Sequence, residues 1–308
     1  MTIFHLHRSR EDKRQKIHDK IIKTHAAIED YPDGFLNPWK LLALKIEVSQ
    51  VSVSTKGTIM FRPRFFLPLS PQSVRTYLST DPSIKTGLDE GKPEYMGCPA
   101  SRISIVSVAR CPFILDLCRD KFATAVQKGF CLDNLTGLRE CGATNKGKWK
   151  HQPNFELIDG QPSTDGWQIL RILEDVEHEV PHVVFDLRQN IDVDKVKWLT
   201  VGELKAILRV MAVRMELDCY RQHLVMPVSR SHALSVSGFR SSTLTAAQVL
   251  VVSYLNSAHG RILQAHHDGK RVVIQHTKVL DFEGLKHQPV ELFLRYYGSQ
   301  PIGKTAKI

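Results

Sequence analysis

"RILQAHHDGKRVVIQHTKVLDF", residues 261–282, carries the strongest fold signal in the chain. Apolar and polar residues alternate on both sides of Asp268-Gly269, which is the pattern of two antiparallel strands joined by a tight turn. Both central positions of a type I′ turn need positive φ, a conformation that Asp and Gly tolerate. The sequence therefore predicts a β-hairpin with a two-residue turn at Asp268-Gly269.

The two-residue turn fixes the expected register, with His266 opposite Arg271. The register predicts a buried face made of Leu263, Ala265, Val272 and Ile274. The opposite face, which suits solvent or a ligand, is predicted to carry Gln264, His266, Arg271 and Gln275. His266 and Arg271 are therefore candidate contacts for an anion or a partner.

The three histidines of the hairpin do not predict a metal site within it. His266 and His267 are neighbours on a strand, so their side chains point to opposite faces. His276 shares a face with His267 but is expected roughly 20 Å away along the ladder, at about 3.3 Å per residue. Zinc needs ligands at about 2.0–2.3 Å from one centre. A site that joins one of these histidines to distant residues stays open.

Metal-dependent nucleases of the restriction-endonuclease-like class place an Asp on one strand and a Glu-x-Lys on the next. The nearest match in the hairpin is Asp268 followed by His276-Thr277-Lys278, which lacks the second carboxylate. "ELK" at 203–205 matches as text, but it stands at the start of a predicted helix. The hairpin is therefore interpreted as a fold element rather than as a nuclease site.

The residues on either side of the hairpin predict helices followed by strands. "WQILRILEDVEHEV" from Trp167 has helical spacing, and Thr200 and Glu203 form a capping-box pattern before a second helix. In "VLVVS" both the odd and the even positions are apolar, which predicts a strand that is buried on both faces and central in its sheet. "VELFLRYY" predicts another strand. The predicted fold class is α+β, with a mainly antiparallel sheet and flanking helices in the C-terminal half.

Four regions are predicted along the chain. Residues 1–30 contain a basic amphipathic helix, and 31–141 form an N-terminal α+β region with a hairpin over 45–66. Residues 142–166 are polar and turn-rich, which indicates a linker or long loop. The C-terminal α+β domain then spans 167–308.

The composition excludes several classes of protein. The hydrophobic fraction of 42% and the charged fraction of 24% are typical of globular chains. There is no apolar run of about 18 residues, and the amino terminus lacks a secretory apolar region. The six cysteines include no C-x-x-C pair, which favours free thiols and an intracellular location, cytoplasmic or nuclear.

The formal net charge of +10 favours phosphate-rich or acidic partners without giving specificity. Lys148, Trp149 and Lys150 combine an aromatic ring with positive charge, as in sites that hold single strands or anions. They join His266 and Arg271 as candidate contact residues. An exposed loop tip is the alternative interpretation of the three.

"GSQPIGKT" at 298–305 fits the phosphate-binding pattern G-x-x-x-x-G-K-[ST]. The pattern works only with a following helix, and "AKI" after Thr305 is too short to form one. The interpretation is a coincidental match in a turn.

The phrases "HGRILQAHHDGKRVVIQHTKVLDFE", "ELFLRYY" and "PIGKT" resemble an uncharacterised protein family of filamentous fungi. The resemblance covers roughly residues 165–308 and includes no catalytic motif. It implies a lineage and no mechanism, and it adds no support for nucleotide binding by the tail.

Two functions are carried forward from the sequence. The first is a non-enzymatic interaction protein with a basic surface that binds a protein or an anionic ligand, nucleic acid included. The alternative is a hydrolase, with a degenerate metal-dependent nuclease-like site. The sequence predicts no catalytic, metal or cofactor residues, and we expect no cofactor and no membrane partner.

Overall fold

The computed structural model describes ten stretches of the chain. These are residues 2–32, 34–74, 138–140, 166–175, 180–189, 191–193, 198–220, 246–256, 259–282 and 288–302. Their helices are α1 Thr2–Ala26, α2 Pro38–Ala43, α3 Val201–Glu216 and α4 Gln288–Tyr297. A short 3₁₀ turn, Asp218–Tyr220, follows α3.

The described strands are numbered in chain order. They are β1 Ile46–Gln50, β2 Phe66–Leu67, β3 Leu138–Glu140, β4 Trp167–Asp175, β5 Val183–Gln189, β6 Ala246–Tyr254, β7 His259–His267, β8 Val272–His276, β9 Leu280–Asp281 and β10 Gln300–Pro301. One sheet of eight strands has the order β1-β8-β7-β6-β5-β4-β3, with β9 beside β7. β2 and β10 pair separately.

The large sheet is mixed and mostly antiparallel. Only the β1–β8 and β5–β6 pairs are parallel. α3 lies between β5 and β6 in the sequence, as expected for a parallel pair that needs a helical crossover. The sheet confirms the α+β class, and β1 gives it one strand from the N-terminal part of the chain.

Two apolar cores lie on opposite faces of this sheet. The first packs α1 and α3 against residues such as Phe185, Val251 and Ile274. The second packs α4 and residues 59–74 against Val184 and Leu250. Neighbouring residues of a strand point to opposite faces, so each central strand supplies both cores. Both sides of the sheet are therefore covered, and β6 is central as its sequence predicts.

Helices α1 and α3, which lie on the first face, agree with the predictions from their sequence patterns. Thr200 accepts the amide of Glu203, and the Glu203 side chain accepts the amide of Thr200, so the capping box is complete. At the other end of α3, the Arg14 side chain of α1 donates to the Met215 carbonyl. A cation at this position complements the negative end of the helix dipole. No helix in the described part of the chain is both long enough and apolar enough to cross a membrane.

Two elements differ in secondary structure from the prediction made from their sequence. The stretch from Trp167 to Asp175 is strand β4 and not a helix. "VELFLRYY" lies in helix α4 and not in a strand. β4 is hydrogen-bonded between β3 and β5, and α4 packs in the second core, so tertiary structure decides both conformations.

The predicted N-terminal hairpin is present only as a short stretch. Val53 and Ile59 form one antiparallel bridge around a turn, while β1 pairs in parallel with β8. The polar region 142–165 lies outside the described residues, and so do Lys304 and Thr305 of the Gly-Lys-Thr match.

Candidate functional site

The β7–β8 turn is wider than its sequence predicts, so the predicted register is wrong. His267 is opposite Val272 and His266 is opposite Val273, which leaves residues 268–271 as the loop. The Asp268 side chain accepts the amides of Lys270 and Arg271, both at 2.8 Å. This side-chain capping closes a four-residue loop in place of the two-residue turn.

The error in register is two residues, so the predicted faces survive. A shift of two leaves every side chain on its original face, whereas a shift of one would invert the strand. The face predicted to be buried is in the first core, with Leu263, Ala265, Val272 and Ile274 all buried.

His266 does not lie at the surface as predicted. It is 5% exposed, and its ring lies 5.0 Å from the Phe65 ring, measured between centroids. Burial lowers the pKa of His266 to about 4, with smaller and opposing effects of Asp268 and His267. At neutral pH His266 is an uncharged core residue, so it supplies no cation to a partner.

Other polar side chains share this covered face. Gln264 binds the backbone of residues 63–65: its amide oxygen accepts from the Phe65 amide, and its NH₂ donates to the Pro63 carbonyl at 2.7 Å. Phe66 packs edge-on against His182, with the ring centroids 5.4 Å apart. The segment around residues 61–67 therefore covers the polar face of the hairpin.

Arg271 is exposed, as the sequence predicts, and has two acidic neighbours. Its guanidinium lies 2.5 Å from the Glu47 carboxylate and 3.5 Å from that of Asp268. Burial raises the pKa of Asp268, but the amides of Arg271 and Lys270 and the nearby positive charges outweigh burial and leave this pKa below its usual value. Asp268 is thus a carboxylate that orders the turn.

Three backbone segments that carry exposed cationic residues meet at this turn, and we call these residues the basic edge. Its members are Lys20, Lys45, Lys270 and Arg271, all exposed. The Lys20 ammonium lies 3.4 Å from the Gly269 carbonyl, and the Lys45 carbonyl accepts the Val272 amide at 3.3 Å. α1, the residue before β1 and the β7–β8 turn thus bring four cationic residues to the same part of the fold as Glu47 and Asp268.

A buried polar network lies under the N-terminus of α3. Glu203 is fully buried, and its carboxylate accepts from the Arg261 guanidinium and from the Thr200 amide. Thr200 also donates to Gln189 at 2.7 Å, and Gln189 donates to Ser253 at 3.2 Å. The capping-box pattern indicates half of this network, while nothing local in the sequence indicates Arg261.

Glu203 is held as an anion. Burial alone raises the pKa of Glu203, but the charge and hydrogen bond of Arg261, together with bonds from Thr200 and Ser253, outweigh it and leave the pKa lowered. The third residue of the "ELK" match, Lys205, donates to the Tyr31 carbonyl at 3.3 Å. Both charged side chains of that match are therefore engaged in packing α3.

Asp186 and Arg188 lie on one face of β5, next to β4. Asp186 is opposite Arg171, and Arg188 is opposite Gln168 and donates to it at 2.7 Å. Within the described residues, no three His, Cys, Asp or Glu side chains come together in a group that could hold a metal ion. Lys148, Trp149 and Lys150 lie outside the described residues.

Comparisons with known proteins give no relative: no family model, curated protein or solved structure matches the chain. The likeness to a filamentous-fungal family stays a prediction.

Proposed function

We propose that the protein is a non-enzymatic interaction protein that binds an anionic partner through the basic edge. The observation that supports this function is the convergence of Lys20, Lys45, Lys270 and Arg271 from three separate elements. The four exposed cationic residues outnumber the two carboxylates paired with Arg271, and one of these, Asp268, is engaged with backbone amides. The surplus positive charge attracts anions and accelerates their encounter.

The experiment reverses charge within the basic edge and measures polyanion binding. The double variant Lys45→Glu/Lys270→Glu is compared with wild type in binding to labelled polyglutamate, at low and at physiological salt. We expect at least about tenfold weaker binding and a shallower salt dependence, because rim charges act mainly through long-range attraction.

The single variant Lys45→Glu is measured as well, and Lys56→Glu is its matched control because each of these two substitutions changes the net charge by two. Lys56 is an exposed lysine that lies beyond the C-terminal end of β1. Lys45 precedes the N-terminal end, and the five-residue strand between them is roughly 16 Å long. An equal loss of binding in the control would show that net charge alone drives association. That result would refute the basic edge as the binding site.

A second candidate is the nuclease-like hydrolase, and one observation favours it. Asp186-Leu187-Arg188 places a carboxylate and a cation on one face of β5, an Asp-x-Arg in the position of a Glu-x-Lys. Where that class has an Asp on the neighbouring strand, β4 has Gln168 and Arg171. Titration with Mn²⁺ and a labelled DNA substrate tests it: cleavage by wild type that Asp186→Asn abolishes supports the hydrolase, and absence of both cleavage and thermal shift refutes it.

A further inference from the structure

Helix α2 presents two large apolar side chains to solvent. Trp39 is 79% exposed and Leu42 is 68% exposed. They are three residues apart, so they are neighbours on one face of the helix. Leu41 of the same helix is buried. An exposed Trp–Leu pair is apolar area that a bound partner can cover.

The local structure holds this pair in place. The Asn37 side chain accepts the Lys40 amide at 2.8 Å, and Pro38 begins the helix. The Lys40 ammonium of α2 lies 4.7 Å from the centre of the Tyr31 ring, so the helix itself carries a further cation. Because α2 is capped at its start and buried through Leu41, Trp39 and Leu42 are preorganised for contact.

The apolar pair leads directly into the basic edge. The Lys45 amide donates to the Leu42 carbonyl at 3.0 Å, and the Lys45 carbonyl accepts the Val272 amide. Arg271 precedes Val272 in the chain. The exposed apolar pair therefore lies next to the basic edge along the backbone, with Leu42 three residues before Lys45.

We propose that α2 and the basic edge together form the docking surface for an acidic, amphipathic peptide segment of a partner protein. The apolar side chains of the segment cover Trp39 and Leu42, while its carboxylates meet Lys45 and Lys270. This inference rests on the proposed function and names the class of its partner. A helix docked by its apolar face with charged residues at the rim is a recurring mode of peptide recognition.

Trp39 and Leu42, the two apolar anchors of the surface, favour a peptide over other anionic partners. A nucleic-acid base can stack on Trp39, but it leaves the aliphatic Leu42 in water. A membrane-binding helix needs a long apolar face, whereas α2 has six residues with Lys40 between the two anchors. A peptide with apolar residues at helical spacing covers both shapes and brings carboxylates to the lysines.

The test measures fluorescence anisotropy with three labelled probes. The first is a peptide of about 15 residues with Leu and Glu at helical spacing, the second is polyglutamate of equal net charge, and the third is a deoxythymidine oligonucleotide. Co-sedimentation with phosphatidylserine vesicles is the fourth arm. We expect the amphipathic peptide to bind wild type at least about tenfold more tightly than polyglutamate.

The variant Trp39→Ser/Leu42→Ser is expected to remove that preference and to leave polyglutamate binding intact. Met60→Ser/Leu67→Ser is the matched control, because both residues are 42% exposed and neither is in α2 or the basic edge. The single variant Trp39→Ser and far-UV circular dichroism separate lost contact from lost folding. A preference that survives in Trp39→Ser/Leu42→Ser overturns the inference.

The remaining outcomes separate the two proposals. Equal binding of the two peptides by wild type overturns the docking inference and leaves the anion-binding function standing. Tighter binding of the oligonucleotide or the vesicles than of the amphipathic peptide overturns the peptide partner. If Lys45→Glu/Lys270→Glu binds every probe with the same affinity as wild type, both the inference and the proposed function are overturned.

Discussion

Replacing Arg261 by Met tests the buried ion pair at the centre of the first core. Arg261 is 1% exposed and Glu203 is fully buried, so neither charge is solvated in the folded protein. The substitution removes the hydrogen bonds of Arg261 to Glu203 and to the Trp198 carbonyl. Breaking one side of a buried pair costs about 3–5 kcal/mol, because the remaining charge stays uncompensated.

Arg271→Met is the matched control for this measurement. Arg271 also pairs with a glutamate, but its side chain is 52% exposed and that of Glu47 is 42% exposed. Exposed pairs contribute about 0–1 kcal/mol. Urea unfolding followed by circular dichroism therefore should separate the two variants by at least about 2 kcal/mol in the free energy of unfolding.

The pH dependence gives a second, independent readout. In wild type the lowered pKa of Glu203 stabilises the fold above the pKa of the unfolded chain, and this contribution is lost as pH falls through the folded value. Without Arg261, burial raises this pKa, so the stability difference between wild type and Arg261→Met narrows as pH falls. Adding Glu203→Gln should restore part of the lost stability at neutral pH. Arg261→Met and Arg271→Met of equal stability would refute the reasoning.

Three further substitutions test other parts of the fold. Thr200→Ala removes the cap of α3 and the bond to Gln189, and should lower the free energy of unfolding by about 1–2 kcal/mol in a urea titration, with Thr200→Ser close to wild type. Gly260→Ala places a Cβ 2.8 Å from the Ser253 carbonyl oxygen, so we expect a loss of about 1–3 kcal/mol and a lower melting temperature; an unchanged melting temperature would contradict the packing there. Burial lowers the pKa of His266 from 6.5 to about 4, so stability should fall as pH drops through that interval, by about 1.4 kcal/mol per unit at most. His266→Phe should flatten this dependence between pH 6.5 and 4, and an unaltered slope would argue against a neutral His266.

The part of the fold that local patterns predict is the part governed by local forces. The Thr200–Glu203 capping box is confirmed because its bonds join residues three apart. β6 is confirmed as central because a strand buried on both faces is apolar at both parities. The parallel pairing of β1 with β8 joins distant segments, and no local pattern encodes it.

A bulge explains why β4 resembles a helix in sequence. The pairing with β5 shifts between Ile169 and Arg171, which inserts an extra residue. Leu170 and Leu173 therefore both pack against the second core, three residues apart, and imitate the spacing of a helical stripe, whereas Trp167 lies in the first core. The strand keeps an irregular alternation that a period-two pattern does not detect.

Helix α4 shows the opposite case. Its Phe and Tyr side chains favour strands by propensity, and this led to the wrong prediction. Phe293, Tyr296 and Tyr297 nevertheless recur at helical spacing, and all three are buried in the second core. The periodic signal was present in the sequence and is the better guide at this segment.

Only part of the candidate site could be predicted from the sequence. Arg271 is identified correctly as an exposed cation, but its companions Lys20 and Lys45 come from elements far away in the chain. The alternation of apolar and polar residues predicts His266 on the solvent-facing side of its strand, but the segment around Phe65 covers it. Side-chain alternation gives a face of the strand, and it does not tell what packs on that face.

The pairing of β1 with β8 also sets an order of events during synthesis. Gln50 ends β1 and Val272 begins β8, so the ribosome adds about 220 residues between the two strands. At about 5–20 residues per second, this takes roughly 10–45 s. Throughout that time β1 is without its sheet partner and exposes unpaired backbone groups. β1 can therefore join the sheet only after the hairpin has been synthesised.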